Sequence, residues 1–358
     1  MRKQYVDLLR IIALFYMFFQ HSTLGLLDPI HNKGVILFLY EIVPFCPALF
    51  LFLSGFSLTF KFEKGNSLTF DNKDLLHLVK RGVILILSSQ ILFFFENGIQ
   101  LPDIFIASGI LSTIGIMIII SGIVLKFKYK KLIFTILIVI LSFFTILTLF
   151  LRIYLVPFNY GYEPMSPTII YGFVGVLVGL FLLSKDKPKT KNIFVSTLTA
   201  IGLMIMVIYT IKYGFGKVFF TEIGRYEIVR YFDRATLPQN LFFHTNDSGL
   251  YTAKIWNFDI NSMVASLGLV LLLFGIGYFS EPLLQKLKIK ALFLPGRYAF
   301  VNYFFHLIII ALFVVIFDYG IFNTLQFVIF LSMLFGFSYL ISFVTDKFSK
   351  KKRKQLPA

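Results

Sequence analysis

Cysteine occurs once in 358 residues, at Cys46. A single thiol excludes an internal disulfide and a thiolate metal cluster, and no metal is expected. Charge is scarce as well: 15% of the residues are Asp, Glu, Lys or Arg against 58% hydrophobic, with a mean hydropathy of +0.83. Soluble globular domains carry about 25% charged residues, so that class is excluded and the chain reads as an all-α, polytopic membrane protein in contact with a lipid bilayer. Acidic residues are the rarer sign, 18 against 34 basic, which leaves a net charge of +16. The placement of the cations, below, explains that excess without a nucleic-acid partner, and none is expected. The basic start (Arg2, Lys3) imitates a signal peptide, but Arg10 breaks the apolar stretch and no small-residue cleavage site follows His21. The first segment is therefore expected to be retained. No repeat of fixed period and no inverted repeat is found.

At about 20 apolar residues per crossing, the pattern predicts ten spans, near residues 6–27, 35–60, 82–96, 103–125, 132–151, 167–184, 193–212, 257–279, 297–317 and 321–345. The third is short, and Pro44 and Pro47 predict a kink in the second. Alternate connections, including the N-terminus and the tail from Lys347, hold 25 of the Lys and Arg residues; the opposite set holds 8, and Arg10 lies inside a span. The positive-inside rule then places both termini in the cytoplasm, in agreement with an even number of crossings. The expected organisation is one transmembrane unit over 1–346, with an extracytoplasmic loop at 213–256, and a basic cytoplasmic tail at 347–358 that anchors at an anionic leaflet. In the loop, Thr221 to Arg234 mixes apolar residues with Arg225, Arg230 and Arg234 and predicts a short amphipathic helix on the outer surface. Asn246-Asp247-Ser248 fits a glycosylation sequon, a triplet that also arises by chance.

The chemistry is concentrated in the first span, where Asp7, Arg10 and His21 interrupt an otherwise apolar run. Charged groups at membrane depth cost roughly 2.5 to 3.5 kcal/mol each and by default face a cavity and mark function. Eleven residues are close to three helical turns, so Arg10 and His21 share a face about 16 Å apart, with Asp7 one turn before Arg10. Arg10 then lies near the inner end and His21 near the outer end of one channel wall. A neutral imidazole acting as general base needs a partner that fixes its tautomer, usually a carboxylate. Glu41, at a similar outer depth, is the candidate partner, and an interfacial glutamate at the water boundary is the alternative. The ninth span carries Gly296-Arg297-Tyr298, Asn302, Tyr303 and His306. Tyr303 and His306 are neighbours on one face; a helix-to-helix hydrogen bond that only packs the bundle is the alternative for His306. The inner cations Lys61, Lys64, His77, Lys80, Arg81, Lys286, Lys288, Lys290 and Arg297 could hold the phosphates of an acyl-carrying nucleotide. Topology explains most of them. Arg81 and Arg297, at the mouths of spans, and Arg10, which topology does not require, stand out.

Asp7-Leu8-Leu9-Arg10-Ile11-Ile12-Ala13 ending at His21, followed by Leu49-Phe50-Leu51-Phe52-Leu53-Ser54-Gly55-Phe56-Ser57, resembles the membrane acyltransferase superfamily. That group includes the acyltransferase 3 family and the heparan-alpha-glucosaminide N-acetyltransferase-like bacterial proteins. Lys80-Arg81, the Gly296 to His306 region and Tyr171-Gly172-Phe173-Val174-Gly175-Val176-Leu177-Val178-Gly179 are similar too. The resemblance implies an enzyme of the cell membrane that moves an acyl group, commonly acetyl, from cytoplasmic acyl-CoA to a hydroxyl or amine of an extracytoplasmic glycan or glycolipid. It implies that His21 is the catalytic histidine, as general base or as acyl carrier, with Arg10 its motif partner and Asp7 supporting Arg10. Acyl-CoA binding would fall to Arg81, Arg297, Tyr303 and His306. The extracytoplasmic domain that some acyltransferase 3 members carry is not expected here. Acceptor recognition would then fall to the spans and the 213–256 loop, through Arg225, Arg230, Arg234, Tyr226, Tyr231 and Trp256. Two other readings stay open. A secondary transporter or flippase for a lipid-linked sugar or small anion would show repeated halves and paired broken helices, and neither is found. A non-catalytic partner in envelope assembly would use His21 only for packing.

Overall fold

The computed structural model describes residues 3–28, 45–64, 67–68, 70–97, 109–151, 165–184, 187–213, 260–287, 290–317 and 320–355. They are almost entirely helical. The long helices are α1 (Gln4–Leu26), α2 (Phe45–Lys61), α3 (Asn72–Asn97), α4 (Ile110–Leu125), α5 (Lys130–Phe150), α6 (Met165–Leu183), α7 (Pro188–Tyr213) and α8 (Ile260–Lys286). A four-residue 3-10 turn, Lys290–Phe293, and the short α9 (Leu294–Arg297) lead into α10 (Ala299–Phe317) and α11 (Thr324–Gln355). The extended pairing among the described residues is a two-residue antiparallel hairpin, Glu63–Lys64 with Ser67–Leu68, and an isolated bridge between Leu27 and Phe322. Six helices are long and apolar enough to cross a membrane, and Cys46–Lys61, Ile110–Leu125 and Thr168–Leu183 are shorter apolar helices. The outward faces of α5 and α7 carry Leu132, Val139, Phe143, Leu203, Met204 and Ile211, all exposed. Such surfaces suit lipid rather than water.

The third helix differs from its expected bounds. It begins at Asn72, ten residues before the apolar run, because Asp71 and Asp74 cap it reciprocally. The Asp74 N–H donates to Asp71 Oδ1 at 2.8 Å, and the Asp71 N–H donates to Asp74 Oδ2 at 3.2 Å. Lys73, His77, Lys80 and Arg81 therefore ride on a helix and not in a loop. Residues 29–44, with Glu41 and Pro44, and residues 214–259, with Arg225, Tyr226, Arg230, Tyr231, Arg234 and Trp256, lie outside the described residues.

The two glycine-bearing motifs pack against each other. Gly55 of α2 meets the Gly172 carbonyl, and Gly175 of α6 meets the Phe52 carbonyl; a Cβ added at either glycine would stand 2.0 or 2.1 Å from that oxygen. Without a hydrophobic drive between helices in lipid, close backbone approach through small residues is what holds a helix pair together. On the other side of α2, Phe52 and Phe56 meet Phe274 of α8 at 5.2 and 4.9 Å between ring centres, and Tyr5 of α1 joins at 5.9 Å.

That packing makes α1 an inner helix, touching α2, α8, α9, α10 and α11. Both of its ends are held by the C-terminal half. At its start, where four N–H groups lack intrahelical partners, Glu281 of α8 accepts from the Gln4 N–H at 3.2 Å and the Tyr5 N–H at 2.8 Å. At its end, the Gly25 and Leu26 carbonyls accept from the N–H groups of Gly320 and Phe322 at 3.2 and 2.8 Å. Gly320 makes that turn at φ 63°, a conformation suited to glycine.

Candidate active site

The N-terminal end of α1 is built on ion pairs. Asp7 is 2% exposed, and its Oδ1 lies 3.5 Å from Arg10 Nη1, one turn on, as the i,i+3 spacing requires. Arg10 Nη2 donates to Ser57 Oγ at 2.8 Å, and Ser57 in turn donates to the Leu53 carbonyl at 2.6 Å. Ser57 belongs to the Phe-rich segment of α2, so the contact ties the first two motifs together. Gly296 lies against the Asp7 backbone: a Cβ there would fall 2.0 Å from the Asp7 carbonyl oxygen. The Gly-Arg-Tyr turn is thereby held beside Asp7. Arg297 Nη1 pairs with Asp346 Oδ1 at 3.4 Å, the Tyr298 hydroxyl donates to the same oxygen at 3.0 Å, and Lys350 Nζ reaches Asp346 Oδ2 at 2.6 Å. The Arg297 Nε–H is buried with no hydrogen-bond partner among the described residues. Separately, Lys61 at the end of α2 and His77, Lys80 and Arg81 on α3 lie within electrostatic reach of one another, with the Asp74 carboxylate among them. Lys61, His77, Lys80 and Arg81 are exposed.

The C-terminal end of α1 is built on rings. His21 is partly buried and stands edge-on to His306 of α10, ring centres 5.3 Å apart at 72°. No hydrogen bond joins His21 to a described residue. Phe18, one turn before His21 on α1, packs against His306 at 4.8 Å, and Tyr303 lies 5.3 Å from it. His306 is 1% exposed. Its Nδ1 lies 3.2 Å from the Asn302 carbonyl. A carbonyl oxygen can only accept, so the neutral ring carries its proton on Nδ1 and leaves Nε2 as a bare lone pair. That Nε2 is buried with no hydrogen-bond partner among the described residues. One turn back, Asn302 is itself pinned, its Nδ2 donating to Ser342 Oγ of α11 at 2.8 Å.

The channel wall expected between Arg10 and His21 is corrected. Leu14, Met17 and Phe18 occupy the intervening positions of that stripe, and all three are buried. The helix face is packed there, with Phe18 against Phe335 at 5.6 Å, so a stretch of buried side chains lies between its two polar ends. The four residues expected to act together on acyl-CoA are distributed as well. Arg297 lies at the N-terminal end beside Asp7, Tyr303 and His306 lie at the C-terminal end beside His21, and Arg81 lies on α3. The alternative helix-to-helix hydrogen bond for His306 is not found among the described residues; its Nδ1 bonds within its own helix. Sequence reasoning missed Ser57 as Arg10's partner, and missed Ser342, Asp346 and Glu281; each is a polar residue in or beside an apolar run, the signal used for α1 but not applied there.

A family model described as heparan-alpha-glucosaminide N-acetyltransferase, catalytic, matches residues 2–213, more than half of the chain. A comparison with curated proteins finds no match. The matched stretch contains Asp7, Arg10, His21, Ser57 and Arg81. Glu281, Gly296, His306 and Phe322, which hold or face α1, come from beyond it.

Proposed function

The chain belongs to the heparan-alpha-glucosaminide N-acetyltransferase catalytic family, and from that premise we propose that it is a cell-membrane enzyme that transfers an acetyl group from cytoplasmic acetyl-CoA to a hydroxyl or amine of an extracytoplasmic glycan or glycolipid. Membership of the family implies acetyltransferase activity; the donor, the acceptor and the side each approaches from are the proposal. In this proposal the chain crosses the bilayer ten times with both termini in the cytoplasm, the 213–256 stretch on the outer side and the basic tail from 347 on the inner side, a reading supported by the hydropathy and charge distribution of the sequence. The observation that carries the reading is His21 on the inner helix α1, its ring partly open and facing a second imidazole in a setting otherwise lined by rings.

In this reading His21 is the catalytic residue. Acting as general base, it takes the proton of the acceptor hydroxyl or amine while the acceptor's oxygen or nitrogen attacks the thioester carbonyl carbon. The carbon–sulfur bond breaks, the CoA thiolate leaves, and the proton held on His21 passes to that sulfur. Acetyl acceptor and free thiol are formed with no net change in protons. Arg10, held by Asp7 and Ser57, fixes the donor-facing end of α1 and adds a positive charge there. Arg81 and Arg297 hold the phosphates of the donor, with Lys61 and His77 widening the basic mouth. Glu41, expected from the sequence as the carboxylate partner of His21, lies outside the described residues.

Membranes carrying the chain, incubated with acetyl-labelled acetyl-CoA and analysed by mass spectrometry, test the proposal. Label in a glycan or glycolipid, dependent on the chain, is expected. Uptake of a sugar or anion without release of free CoA thiol would replace the enzyme with a transporter.

A further inference from the structure

His306 entered the sequence reading as a donor-binding or packing residue. Its geometry assigns it a different task. A histidine that presents one lone pair to a substrate must place its other nitrogen's N–H somewhere, and in an apolar setting an unmade hydrogen bond is costly. Among the described residues, the imidazole facing His21 is that of His306, and the nitrogen left over on His306 is an acceptor. Its Nδ1–H is committed to the Asn302 carbonyl, and its Nε2 is buried and unpartnered. Two imidazoles joined by an N–H···N bond of about 2.9 Å have ring centres close to the observed 5.3 Å. Phe18 and Tyr303 flank the His306 ring, and Asn302, bonded to Ser342, holds the turn of α10 below it. Two ring contacts and the backbone bond thus hold the ring, and the free lone pair is on the nitrogen that the backbone bond does not use.

We propose that His306 is the positioning residue for His21. Its Nε2 accepts the N–H of His21 once the His21 ring turns about its Cβ–Cγ bond, which fixes the nitrogen that His21 presents to the acceptor. The bond steadies the positive charge that forms on His21 when the acceptor's proton arrives, before that proton leaves with the CoA thiolate. His306 touches neither substrate; it acts through His21, in the role that a carboxylate fills for a buried catalytic histidine elsewhere. The proposal rests on the reading of His21 as the catalytic residue.

The test uses the full chain in membranes, with labelled acetyl-CoA as the probe and transfer of label to membrane glycan as the readout, in His306→Ala, His306→Gln, His306→Phe and His21→Ala variants. His306→Ala is expected to lower kcat by about 100-fold, the low end of the range for losing assisted proton transfer, and to leave the KM for acetyl-CoA within about twofold. Imidazole in the buffer should restore part of that loss. His306→Gln, which keeps an acceptor oxygen, should retain more activity than His306→Phe, which keeps the ring packing. The order Phe above Gln with no rescue by imidazole would show a packing role and overturn the proposal. Full activity of His21→Ala would overturn the underlying reading instead. Loss of activity in His21→Ala with near-parental kcat in all three His306 variants would overturn the dyad alone and return the positioning role to Glu41. Melting of each purified variant separates lost chemistry from lost folding.

Discussion

The two ends of α1 solve opposite problems with the same kind of residue. At the N-terminal end, two groups of charge-assisted bonds between 2.8 and 3.5 Å lie near each other: Asp7, Arg10 and Ser57 join α1 to α2, and Arg297 and Tyr298 meet Asp346 of α11. At the C-terminal end, two imidazoles meet among aromatic rings, and of their four nitrogens His306 Nδ1 alone has a hydrogen-bond partner among the described residues. Leu14, Met17 and Phe18 separate them. A polar group whose bonds are taken up by the fold stabilises the fold, whereas a buried group left short of a partner is open to completion by a ligand, and among the described residues Arg297 Nε at one end and His306 Nε2 at the other are both of that kind. In the proposed reading, the ionisable residues that first single out this helix are of two kinds: the carboxylate and guanidinium position the helix, and the imidazole reacts.

That division can be broken at several points. The largest structural effect is expected at Gly296, where any side chain must displace the Asp7 carbonyl. Gly296→Val should cost about 3 kcal/mol or more, the upper part of the range for overpacking, seen as a clearly lowered melting midpoint in detergent. A parental midpoint would mean that α9 and α1 are free to part. Next is Asp7→Ala, which deprives Arg10 of a buried counter-charge. Arg10 is partly exposed, so the loss should be about 2 kcal/mol, below that of a fully buried pair, with KM for acetyl-CoA raised more than kcat is lowered. A variant as stable as the parent but inactive would move Asp7 from the scaffold into the chemistry. The smallest effect is expected for Glu281→Gln, which keeps one acceptor for the α1 N-terminus but loses the charge that complements the helix dipole. About 1 kcal/mol should be lost, with activity per folded molecule unchanged.

Much of the N-terminal end could be read locally. Asp7 and Arg10 are one turn apart, and the i,i+3 pairing follows from that spacing alone. The alignment of Arg10 with His21 follows equally from helix geometry, but the packed stripe between them does not, because Leu14, Met17 and Phe18 look the same in sequence whether they line a channel or fill a core. His21 and His306 each stand out as ionisable residues in apolar runs. That they meet depends on how α1 and α10 cross, and no local periodicity encodes the contact. The start of α3 was obscured for the opposite reason: Lys73, Asp74, His77, Lys80 and Arg81 depress hydropathy and imitate a loop, while the Asp71–Asp74 cap decides for helix. Glu281 was invisible for another reason, since its task is defined by the N–H groups of a helix nearly the whole chain away. The glycine motif at 171–179 served as a mark of resemblance, and its physical role, the seat for α2, emerged only from the carbonyl contacts at Gly172 and Gly175.

The central claim is that the C-terminal end of α1 carries the chemistry. It is tested most directly by measuring kcat for acetyl transfer together with the melting midpoint of the purified His21→Ala chain beside the parent. The prediction is a fall in kcat of at least about 100-fold with a midpoint close to the parent's. A kcat within a few fold of the parent, in a protein that melts normally, would contradict it.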